Sequence, residues 1–102
     1  MYKLSSAAAQ DIDTLLGRSL LDFGLPQTEM YYQSLQECLR LIGENPELGT
    51  AIDDIRAGYR RFPHQSHIIY YQSQPDHVRI VRVLHQRMDA VKAMDQIDKN
   101  SE

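Results

Sequence analysis

The hydrophobic pattern changes period once, near residue 55, and no other feature limits the possible folds as much. Before that point apolar and small residues recur at helical spacing. Ala8, Ile12, Leu15, Leu16 and Ser19 form one stripe, with Asp11, Asp13 and Arg18 largely off it, and Tyr31, Leu35, Cys38, Leu39 and Ile42 form a second. After it the residues alternate or run β-branched and aromatic: YRRF from Tyr59, HIIYYQ from His67 and VRIVRVLH from Val78. A chain that is helical first and extended afterwards reads as α+β, with helices gathered on one face of a sheet.

The punctuation places the elements. Tyr2-Lys3-Leu4 alternates as a short strand. Ser5 and Ser6 offer N-cap oxygens to a helix ending near Phe23, and Gly24 fits a left-handed C-cap. Pro26 suits the first turn of a second helix, and Gly43 with Asn45-Pro46 ends it. Gln74-Pro75-Asp76 forms a turn, and a last helix is expected from about Gln86 to Ile97, with Met88, Val91, Met94 and Ile97 on one side. The resulting order, β-α-α-β-β-β-α, predicts an N-terminal helical hairpin packed on a small antiparallel sheet, followed by a C-terminal helix. At 102 residues one domain is expected over 1–102, with about 99–102 as a disordered tail.

Charge is distributed unevenly. Residues 1–55 carry three cations and nine acids, residues 56–87 carry six arginines and one acid (Asp76), and residues 88–102 carry two lysines and four acids. The net charge of −3 therefore conceals a basic sheet set among acidic helices. Every cation between 56 and 87 is arginine, the residue suited to bidentate carboxylate recognition and aromatic stacking. A surface for an acidic partner or a nucleic-acid-associated one is expected there, without direct sequence-specific nucleic-acid binding.

Other chemistries find little support. Cys38 is the single cysteine, which rules out an internal disulfide; at an apolar helical position it reads as core. His64, His67, His77 and His85 match no standard ligand spacing, so neither a metal nor another cofactor is expected. The start MYKLSSAAAQD lacks an apolar run before its small residues, and no segment approaches membrane-spanning length, so a cytoplasmic protein is predicted. Metal-free RNA cleavage would need a base, an acid and arginines for the developing charge. His85, Arg61, Arg82 and Arg87 could supply parts of that set.

The strings LSSAAAQDI, YYQSLQECLRLIGENPELG, IRAGYRRF, HIIYY and above all RVLHQRMD resemble the ParE toxins of type II toxin–antitoxin modules, within the wider RelE/ParE superfamily. The resemblance extends over nearly the whole chain. It implies a toxin that binds DNA gyrase and blocks replication, in a plasmid- or chromosome-stabilising module, and that a ParD-type antitoxin neutralises in a hetero-oligomeric complex. RelE relatives instead cut messenger RNA on the ribosome. They resemble one another in lysines before the second strand and a tyrosine or histidine after the last. Here those stretches read TAIDDIRAG and MDAVKAMDQIDK, with neither feature. A nuclease of that type and a non-toxic antitoxin-binding module stand as the alternatives, and no catalytic residue is assigned.

The resemblance and the charge pattern together nominate partner surfaces. An acidic antitoxin tail would meet Arg56, Arg60, Arg61, Arg79 and Arg82, and an antitoxin helix would meet Leu15, Leu16 and Leu20 of the hairpin. The segment from His85 onward is the candidate gyrase contact, with Arg87, Asp89 and Lys92 as its exposed charges.

Overall fold

The computed structural model describes residues 1–93. Strand β1 (Tyr2–Leu4) leads into helix α1 (Ser6–Phe23), a tight turn at Gly24 and helix α2 (Leu25–Glu44). A 3₁₀ turn at Pro46–Leu48 precedes strands β2 (Thr50–Ala51), β3 (Tyr59–His64), β4 (His67–Ser73) and β5 (Val78–His85). The five strands lie in the order β1-β5-β4-β3-β2. The expected α+β arrangement is present, with one refinement: β1 runs parallel to β5, so the sheet is mixed. The two-residue β2, too short to leave a periodic signal, pairs with Arg60 and Arg61 at the other edge.

Local chemistry accounts for the boundaries. Ser5 caps α1 by accepting the Ala8 N–H at 3.0 Å, as its position suggested. Gly24 has φ 87°, where glycine is favoured, but ψ 175°; it is an extended corner rather than a left-handed cap. That corner ends α1 and starts α2 in a single residue, and the Ser19 and Thr28 hydroxyls, 2.9 Å apart, join the helices just behind it. The third helix starts later than the spacing indicated. Gln86 N–H is held by Ser66 O and Met88 N–H by His85 O, so the chain turns first, and Asp89 Oδ1 caps a helix whose described residues are 90–93. The expectations for Met94, Ile97 and the 99–102 tail lie outside the described residues.

The sheet is buried on both faces. One face meets the hairpin through Ile12, Leu35, Leu39, Ile42, Tyr71 and Ile80. The other gathers Ile52, Tyr59, Tyr70, Val81 and Leu84, with Ala90 and Ala93 packed against them. Cys38 is buried in the hairpin core, as expected of a small apolar residue. The doublet Ile80-Val81, which interrupts the alternation of β5, is a bulge: Tyr70 pairs with Arg82 and Tyr71 with Ile80, so Val81 is extra and turns to the far face.

Tyr71 ties the sheet to the chain entering it. Its hydroxyl donates to Pro46 O at 2.6 Å and accepts the Gly49 N–H at 2.7 Å. A Cβ on Gly49 would stand 2.6 Å from that hydroxyl and 2.7 Å from Arg61 O, so glycine is required for close approach. Tyr71→Phe should therefore cost about 1–3 kcal/mol in urea unfolding, because it strands a buried N–H. Gly49→Ala should cost at least as much by forcing backbone apart.

Candidate functional site

β1 pairs with β5 only at Val78–Ile80, so the outer edge of β5 beyond the bulge lacks a strand partner. Helix α1 lies along that edge. Ser5 Oγ donates to Val81 O at 3.0 Å, and the Asp11 carboxylate accepts the Val83 N–H at 3.0 Å. Asp11 also receives Arg82 Nε at 2.7 Å and Nη2 at 2.8 Å, a bidentate pair with side chains only 14% and 15% exposed. The Asp11 hydrogen bond holds the Arg82 guanidinium charge more firmly than usual, against the opposing cost of burial. Periodicity placed Asp11 off the buried stripe, toward solvent; in the fold it faces the bulge.

Between α1 and the end of β5 runs an open groove of about 650 Å³, lined by Leu15, Phe23, His67, Val83, Leu84 and Met88 among others. It continues past Leu15 and Phe23 toward Tyr31 and the turn at Gln65 and Ser66. Among its lining side chains Phe23 is 70% exposed, and Leu21 on the same helix is 85% exposed. Leu15 and Leu16 are half-buried against the hairpin core, and Leu20 is exposed. Phe23 was not singled out by spacing, since it lies at an element end; Met88, placed by spacing on the apolar side of the last helix, sits in the turn before that helix.

The arginines do not form one surface. Arg61 lies beside Tyr70 on the face away from the hairpin, paired with it in register. Arg79, opposite Gln72, alternates onto that same face, and Arg56 stacks over Tyr59 at 5.3 Å from the ring centroid. Arg60 points to the other side and donates to Gly49 O at 2.7 Å, and Arg82 is committed to Asp11. The far face therefore combines arginines with tyrosines, and the near side carries the groove.

Arg61 and Arg82 stand in one cross-strand row on either side of Tyr70, but the Arg82 guanidinium is held by Asp11 at the outer edge of β5. His85 Nδ1 accepts the Arg87 N–H at 3.2 Å, and Arg87, Asp89 and Lys92 are exposed after β5, with Asp89 serving as helix cap. The base and arginines considered for RNA cleavage do not converge. Among the described residues no group of three or more His, Cys, Asp or Glu side chains gathers as a metal site. No helix among them is long and apolar enough to cross a membrane.

Comparison with known proteins agrees with this geometry. Residues 2–90 match the family described as ParE toxin of type II toxin–antitoxin system, parDE. The chain is 38% identical over 89 residues to Toxin ParE1 of Caulobacter vibrioides, spanning 87% of this chain and 92% of that protein. It is 37% identical over 89 residues to Toxin ParE1 of Mycobacterium tuberculosis, spanning 86% and 91%. A solved structure described as the chromosomal ParDE TA system from P. aeruginosa superposes with a TM-score of 0.72 at 15% identity, covering 82% of this chain and 92% of that one, a likeness of fold. The chain belongs to the ParE toxin family of type II toxin–antitoxin systems.

Proposed function

We propose that this ParE-family toxin inhibits DNA gyrase by binding it, and that a ParD-type antitoxin with an acidic tail neutralises it. Family membership over residues 2–90 carries the reading. The Arg82 guanidinium is committed to Asp11 and His85 stands beside His67 rather than beside Arg61, which supports action by binding rather than catalysis. A binding inhibitor needs surfaces, and this chain has a groove and an arginine–tyrosine face on opposite sides of one sheet.

The antitoxin would use both. An amphipathic helix fits the groove, with Leu15, Leu20 and Phe23 as apolar contacts and Leu16 supporting them from beneath. The chain continuing from that helix would be acidic and extended, and would round the sheet edge to Arg56, Arg61 and Arg79. Arg60 and Arg82, already bonded within the chain, would shape this surface more than touch the tail. The gyrase contact is assigned to the loop and helix start after β5, with His85, Arg87, Asp89 and Lys92. There the exposed Arg87 and Lys92 would meet the enzyme, and Asp89 would hold the turn that presents them.

Two measurements check these assignments. Phe23→Glu and Arg61→Glu, both at exposed positions, should each weaken antitoxin binding by at least about tenfold in calorimetry while leaving the circular dichroism spectrum unchanged. Plasmid supercoiling by purified gyrase should stop when the toxin is added and resume with the antitoxin. The double charge reversal Arg87→Glu/Lys92→Glu should relieve that inhibition without affecting antitoxin binding. Unimpeded supercoiling by folded toxin, together with cleaved messenger RNA on translating ribosomes, would replace this reading with the nuclease.

A further inference from the structure

Three histidines stand side by side at the ends of three adjacent strands. His64 closes β3 and pairs in register with His67 at the start of β4, which pairs in turn with His85 at the end of β5. The His67 ring meets that of His85 edge-on at 5.5 Å. Tyr31 of α2 lies against the row, 5.5 Å from His64 and 6.0 Å from His67 between ring centroids. Two α2 hydroxyls reach the rings: Tyr31 OH is 3.1 Å from His67 Nδ1, and Ser34 Oγ is 3.2 Å from His64 Nε2. These contacts are the polar link between α2 and the strand ends at the inner end of the groove.

An imidazolium in this row would have little to balance it. From α1 the row is faced by Asp11, whose carboxylate is committed to Arg82, and by the Arg18–Asp22 ion pair across the groove. From β5 and the loop beyond come Arg82 itself and the Arg87 N–H on His85. From α2 come only the neutral Tyr31 and Ser34. Among the described residues no carboxylate hydrogen-bonds any of the three rings. Tyr31 can rotate its hydroxyl to accept from a protonated Nδ1, so one charge is tolerated, but a second on the adjacent ring is opposed by the first.

We propose that His64, His67 and His85 form one pH-responsive latch, which holds α2 to the strand ends while neutral. When protonated in mildly acid solution it releases Tyr31 and Ser34, opening the inner groove while the core stays folded. Burial favours the neutral form of His64, and burial reinforced by its two histidine neighbours favours the neutral form of His67. Burial also holds the Tyr31 phenol up to about 12, so it supplies no phenolate to balance the row. The sign follows from linkage. Below the ordinary histidine value of about 6.5 the unfolded chain binds more protons than the folded one, so the contact is at full strength above that pH and weakens as pH falls. The inference concerns this chain alone and stands whichever partner fills the groove.

The test is a proton NMR titration of the free toxin from about pH 7.5 to about pH 5. The three row imidazoles, Tyr31 and Ser34 should move together, with Ile42 and Val78 unmoved. His85→Gln should raise the His67 midpoint by about half a unit, the size expected for unit charges 5.5 Å apart in a water-like dielectric. Independent titration of the three rings with Tyr31 unmoved would overturn the latch. So would unfolding of the whole chain at the row's midpoint.

Discussion

The Asp11 carboxylate holds the molecule's layers in place. A sheet edge left open invites wrong partners, and β1 covers only Val78–Ile80 of β5. Beyond that, α1 takes the place of a strand: Asp11 accepts the Val83 N–H and both nitrogens that Arg82 presents. Ser5 contributes twice, capping α1 and donating to Val81 O. Because the pair is largely desolvated, its attraction is offset by the cost of leaving water, and its value is as much geometric as energetic. It fixes the height of α1 above the strand, and that height sets the width of the groove.

The bulge at Val81 lies at this edge. Val81 joins Tyr59, Tyr70 and Leu84 in the second core, and the register sets Arg82 opposite Tyr70, in the cross-strand row of Arg61. At the strand edge the Arg82 guanidinium is taken up by Asp11 of α1, which commits that part of the sheet's basic charge to the fold.

Much of this was legible from the chain because the two periods do not mix. The stripes of α1 and α2 predicted the hairpin core, and Leu35, Cys38, Leu39 and Ile42 are buried as the spacing required. What spacing could not convey was direction between elements. Nothing local marks Asp11 as facing a strand some seventy residues away, and the parallel placement of β1 depends on which edge of β5 is free. The charge count located the arginines but not the face each one takes. The Ile80-Val81 doublet was a visible sign of the bulge, although its consequence for Arg82 needed the third dimension. Phe23 joins the groove from the end of α1, where the period gives no signal, and Met88 joins it from the turn before the last helix rather than from the helix itself.

The most direct test of this account is a double-mutant cycle on Asp11 and Arg82, using Asp11→Ala and Arg82→Met with stability read by urea unfolding. The account predicts that each single change is costly because it leaves the other charge largely buried and unpaired. The double mutant should then recover about 1–3 kcal/mol of the summed loss. Additive losses would mean that the two side chains stabilise the fold independently. In that case the closure of the β5 edge by α1, and the groove that depends on it, would have to rest on other contacts.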